Sequence, residues 1–98
     1  MITKKQAQKI IYQKINEKDL SWPDRPEMVI LEEETIEKEY GWIFFYQSKK
    51  FMESGNISDA LAGNAPYIFN KHSGEIIVTG TAYPIDYYIT EYERRINV

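Results

Sequence analysis

The sequence predicts an α+β domain with an N-terminal helix, a four-stranded antiparallel sheet built from two hairpins, and a C-terminal helix. Three observations carry that prediction. Both ends of the chain repeat apolar residues at helical spacing, two β-branched and aromatic segments between them fold back on themselves across polar turns, and prolines and glycines punctuate the junctions. With 98 residues the chain is read as one domain over positions 1–98. A chain of this size buries roughly two-thirds of its unfolded surface in a single core.

The first helix opens at Thr3, which with Gln6 forms a capping-box pattern. Ala7, Ile10, Ile11 and Ile15 then mark one apolar stripe among lysines and glutamines, and the helix is expected to end near residues 16–18. The segment DLSWPDRPE carries two prolines, which fix φ and remove donors, so it reads as a loop. MVILEEET reads as a strand whose acidic half leaves the core. A turn at Glu37, Lys38 and Glu39 returns YGWIFFYQS as its antiparallel partner. Strict alternation puts Tyr40, Trp42, Phe44 and Tyr46 on one face and Ile43 and Phe45 on the other, which is left for another element or for a partner.

FMESGNISDALAGN is less regular, with one helical turn expected over Ser58–Ala62 and stopped by Gly63. Pro66 then fronts a strand at Tyr67, Ile68 and Phe69, where its missing N–H does least harm. Asn70 accepts backbone hydrogen bonds in the turn it starts, Gly74 supplies a positive φ, and EIIVTG returns as the fourth strand. Pro84 and Asp86 start the last helix, whose stripe is Ile85, Tyr88, Ile89, Tyr92 and Ile96.

Composition excludes several functions. There is no cysteine, so no disulfide, thiolate nucleophile or cysteine-ligated metal; this usage fits a reducing cytoplasm, where the chain is expected to reside. No apolar run approaches the ~20 residues of a membrane span, and the amphipathic N-terminus lacks the apolar region of a secretory signal. The net charge of −3 divides into +3 over residues 1–26, −5 over 27–48 and −1 over 49–98. Without a clustered basic stripe, nucleic acid is not expected as a ligand.

Catalytic chemistry finds little to use. His72 is the single histidine, and its neighbours Lys71 and Ser73 mark an exposed turn, with Ser73 too near in sequence to face it as a nucleophile. No zinc or calcium pattern and no phosphate-cradling glycine loop is present, so no cofactor or metal is expected. Glu32, Glu33, Glu34, Glu37 and Glu39 lie on a hairpin, where water solvates them, and not in the dry pocket that an acid–base pair needs. Their specific use is electrostatic, because an acidic edge speeds encounter with a basic partner.

The second half of the chain resembles a known family. The strand GWIFFY, the entry GNAP at residues 63–66, the hairpin NKHSGE at 70–75, the step GTAYP at 80–84 and the paired aromatics Tyr88 and Tyr92 occur in the order found in the YrhB family, also described as immunity protein 35. The resemblance covers residues 40–93, and the first helix is compatible in type and place. It implies a cytoplasmic immunity protein of a bacterial polymorphic toxin system, one that binds a cognate toxin domain and blocks it stoichiometrically, without enzymatic activity. The residues expected to bind that partner are Glu32, Glu34, Glu37, Glu39 and Trp42. A second expectation, from another class, is a chaperone-like protein holding unfolded clients on an exposed apolar sheet face, and self-association through an uncovered strand edge stays open.

Overall fold

The structure, a computed structural model, describes residues 1–18, 20–61 and 64–97. Helix α1 (Lys4–Ile15) begins at the expected capping box: the Thr3 hydroxyl accepts from Gln6 N–H, and the Gln6 side chain accepts from Thr3 N–H. It ends at Asn16, whose side-chain amide donates to Met28 O and whose Oδ1 accepts from Met28 N–H, fastening the helix to the first strand.

The first hairpin is longer and more bent than alternation suggested. Strand β1 (Met28–Ile30) pairs with β4 (Tyr46–Ser48), and β2 (Ile36–Lys38) pairs with β3 (Gly41–Phe44), all antiparallel. Glu37 and Lys38, expected in the turn, are therefore in β2, and the turn is Glu39–Tyr40. Ile30 faces Tyr46 and Ile36 faces Ile43, so five residues stand between the pairs on one arm against two on the other. The surplus coils into a single 3-10 turn at Glu32–Glu34.

A short helix α2 (Lys49–Ser54) follows, missed in the sequence, with Ser48 accepting from Phe51 N–H at its start and Gly55 left-handed at its end (φ 68°). The helical turn expected at Ser58–Ala62 is a 3-10 turn at Ile57–Asp59; Ala62 and Gly63 lie outside the described residues. The second hairpin is as expected: β5 (Tyr67–Asn70) and β6 (Ile76–Val78) turn through Gly74 at φ 77°, with Asn70 Oδ1 accepting from His72 and Ser73 N–H. Helix α3 (Ile85–Ile96) closes the chain, and Pro84 takes the cap position just before its first turn.

The main sheet runs β2-β3-β5-β6, and β1-β4 forms a separate two-stranded ribbon. One face carries Trp42, Phe44 and Phe69 against Ala7, Ile11 and Ile15 of α1; the other carries Ile43 and Ile68 against Ile89 and Tyr92 of α3. Phe44, Phe69, Ile43 and Ile68 are fully buried, each stabilising the fold by about 1.5–3 kcal/mol. A helix thus covers each face, and among the described residues there is no broad exposed apolar sheet face of the kind on which the chaperone-like expectation relied. Tyr40 also departs from expectation. Gly41 at φ 153° interrupts the alternation, so Tyr40 packs with the α3 cluster and not beside Trp42. No helix among the described residues is long and apolar enough to cross a membrane.

Candidate functional site

The acidic edge is a product of the uneven hairpin. Five residues spanning the distance of two must leave the ladder, and here they do so as a hydrogen-bonded turn: Leu31 N–H donates to Phe45 O (2.8 Å) and Glu34 N–H to Leu31 O (3.0 Å). The 3-10 turn has no intervening apolar residue, so Glu32, Glu33 and Glu34 all remain exposed. Glu37 and Glu39 continue the exposed acidic surface along β2 and its turn.

These carboxylates are not equivalent. Glu32 receives Lys4 Nζ at 3.1 Å and a hydrogen bond from Gln8, both from α1. The hydrogen bond from Lys4 is the main reason its pKa falls below the ordinary value; Gln8 adds to the effect, and partial desolvation opposes it. Lys38, the basic residue of β2, turns to the other side of the sheet and pairs with Glu93 at 3.5 Å. Among the described residues, Glu33, Glu34, Glu37 and Glu39 enter no ion pair. Neighbouring residues of a 3-10 turn rise about 2 Å, well inside a Debye length of about 8 Å, so the charges of Glu33 and Glu34 add into one local negative field.

Trp42 is not part of that exposed surface. It is 6% exposed, directly opposite Glu37 in the ladder, with its ring 6.1 Å from Phe44 and 6.3 Å from Phe69. Lys71 Nζ lies 6.0 Å from the ring centroid and helps to cover it. Of the five residues singled out in the sequence, four glutamates therefore share one exposed hairpin, while Trp42 is the core beneath it.

The second hairpin is an anchoring device. Asn70, 8% exposed, donates from Nδ2 to Tyr92 Oη (2.9 Å), and that hydroxyl donates to Glu75 Oε1 (3.3 Å). Arg95 donates to the second Glu75 oxygen, and its guanidinium stacks 5.2 Å from the Tyr92 ring. Burial pushes the Tyr92 phenol up from its ordinary value, so it stays protonated and available as a donor. Gly41 and Gly80 fit the same logic: a Cβ at Gly41 would lie 1.8 Å from Phe69 O, and one at Gly80 would lie 2.5 Å from Tyr88 Oη. His72 is exposed in the hairpin turn and donates its backbone N–H to Asn70.

Sequence reasoning passed over the exposed aromatics. Tyr83 and Tyr87 are 57% and 46% exposed with rings 4.4 Å apart, and Tyr87 meets Tyr88 edge-on at 5.3 Å. The signal was present, since Tyr87 lies off the apolar stripe of α3. Tyrosine is favoured at interfaces because its ring is large and its hydroxyl remains solvated.

Comparison with known proteins agrees with this arrangement of motifs. The chain is 47% identical over 53 residues to a protein of Escherichia coli strain K12 described as uncharacterized protein YrhB, across 54% of this chain and 56% of that one. The match thus spans little more than half the length of that relative. No solved structure matches. The model of the family described as immunity protein 35 matches residues 5–93, from the first turn of α1 into the last turns of α3, and the chain belongs to the immunity protein 35 family.

Proposed function

We propose that the chain is a cytoplasmic immunity protein of a bacterial polymorphic toxin system, which binds a cognate toxin domain one to one and neutralises it by covering its surface. The observation that carries this reading is the family match over residues 5–93. The blockade is steric and electrostatic, with no reaction catalysed by this chain. Glu32, Glu34, Glu37 and Glu39 form the docking edge, and Trp42 holds β3 firm beneath Glu37. The toxin surface that fits is basic, such as the substrate groove of a nuclease, with charge setting encounter rate and register. The edge is already extruded and hydrogen-bonded, so little ordering cost accompanies binding.

The test is charge reversal at Glu32, Glu34 and Glu37, read as association and dissociation rates with the toxin domain at several salt concentrations. The expected result is a fall in association rate of about tenfold or more, with a shallower salt dependence. Unchanged affinity in the triple variant, with its circular dichroism intact, would remove the acidic edge from the interface.

A further inference from the structure

The two edges of the main sheet are built differently. β2 bears Glu37 and Lys38, charges that disfavour pairing with a foreign strand. β6 is Ile76, Ile77 and Val78, with no charge and no proline, and Val78 is 58% exposed. The ladder determines which of its backbone groups are used. Thr79 N–H donates to Pro66 O (3.1 Å) and Asn70 N–H donates to Glu75 O (2.9 Å), so the positions bonded to β5 are 75, 77 and 79. The N–H and C=O of Ile76 and Val78 therefore point out of the sheet. Among the described residues, no turn, loop or side-chain group bonds to them.

We propose that β6 pairs antiparallel with β6 of a second copy about a two-fold axis at Ile77, joining two four-stranded sheets into one. The strand is self-complementary in that register. Ile76 of each copy faces Val78 of the other, and the two residues exchange both N–H···O bonds, giving four bonds across the axis. Ile77 meets Ile77 on the α3 side, and Val78 lies beside Ile76 on the α1 side.

The flanking helix is complementary to itself in the same sense. Tyr88 sits against Gly80 and Arg95 bonds Glu75, so α3 runs antiparallel to β6 alongside it. Between them is an open groove of about 400 Å³, lined by Ile77, Val78, Tyr88, Glu91 and Arg94 among others. A two-fold axis reverses the second α3. It therefore brings the tyrosine and glutamate half of one helix, Tyr88 and Glu91, toward the arginine half of the other, Arg94 and Arg95, so that the exposed Glu91–Arg94 pair (2.9 Å) within each copy extends into a network across the axis while Arg95 keeps Glu75. A strand of unrelated sequence would satisfy the backbone of β6 but not this charge pattern.

The experiment needs no toxin, so its outcome is independent of the proposed function. Sedimentation equilibrium of the intact protein should give twice the 11.6 kDa chain mass. Hydrogen exchange should show the Ile76 and Val78 amides protected in a concentration-dependent way. Val78→Pro removes an outward donor and leaves the β5–β6 bonds intact, while Val78→Lys adds a charge to the edge. Each should weaken the dimer about tenfold or more with an unchanged circular dichroism spectrum. If Val78→Pro unfolds, the lysine variant and the amide protection decide. A monomer at every soluble concentration, a dimer whose Ile76 and Val78 amides exchange freely, or a dimer untouched by Val78→Lys overturns the proposal.

Discussion

Replacing Gly41 by alanine tests how the sheet is held together at its centre. The added Cβ would fall 1.8 Å from Phe69 O, 2.9 Å from Phe69 C and 3.1 Å from Lys71 N, against an ordinary contact of 3.4–4 Å. All three obstacles are backbone atoms, of β5 and of the turn that follows it, so no side-chain rotation relieves them. The residue must leave φ 153°, a region that costs a non-glycine about 1–3 kcal/mol. The adjoining Lys71 N–H to Tyr40 O bond (2.8 Å) is then strained or lost, for about 1 kcal/mol more. A total near 3 kcal/mol lowers the melting temperature of a domain this size by on the order of 15 °C. Gly55→Ala is the control: its φ is 68° but nothing lies within 4 Å of the added atom, so it costs about 1–2 kcal/mol. Thermal unfolding followed by circular dichroism reads both. A Gly41→Ala melting point within about 3 °C of the unmodified protein would refute the claim that backbone approach requires glycine there.

Tyr92→Phe removes the hydroxyl between Asn70 and Glu75 and leaves the nearly buried Asn70 amide without that acceptor; stability should fall by about 1–3 kcal/mol in chemical denaturation, and a neutral result would contradict the anchoring role. Alkaline pH should unfold the protein for a related reason. Burial, reinforced by neighbouring Tyr67, raises Tyr46 from 10.0 to about 12, and burial followed by the hydrogen bond to Glu93 also raises Tyr40. A folded-state pKa above the unfolded one means stability that is complete below pH 10 and lost as the pH rises toward about 12, so the denaturation midpoint should fall across that window. A midpoint unchanged through pH 12 would show that these phenols are not protected by the fold. Charge reversal on the acidic edge should slow toxin association in proportion to the charge removed, and added salt should narrow the difference between variant and unmodified protein.

Much of this fold was legible because its signals are local. Thr3 and Gln6 announce a helix start within four residues, and Asn70 with Gly74 specify a turn by their own hydrogen bonding and φ. The bend in the first hairpin was not legible. Nothing within EEET reveals that Ile36 will pair with Ile43 while Ile30 pairs with Tyr46, since register is settled across strands. Tyr40 was assigned to the wrong face for a similar reason: alternation holds only while φ stays extended, and Gly41 breaks it. Helix α2 did carry a start at Ser48 and a stop at Gly55, yet six residues are too few to show an apolar stripe.

The candidate site divides along the same line. The exposed glutamates follow from charge alone, because carboxylates stay in water unless they are paired; among the described residues Glu34, Glu37 and Glu39 enter no ion pair, and Glu32 meets Lys4 while remaining exposed. Trp42 was expected among the partner-binding residues, but its position opposite Glu37 under α1 places it in the core. The free outer edge of β6 needed the ladder itself, since only pairing shows which N–H and C=O groups remain unused.

The central claim is that this chain neutralises a toxin by holding it. Its most direct test is growth of a host expressing a toxin domain drawn from the genes flanking this one and first proven lethal alone, with and without this protein, together with co-purification of the pair. The account predicts rescue by the unmodified protein and a stable one-to-one complex. A toxin proven active that still kills in the presence of soluble protein, with no complex recovered, would contradict it.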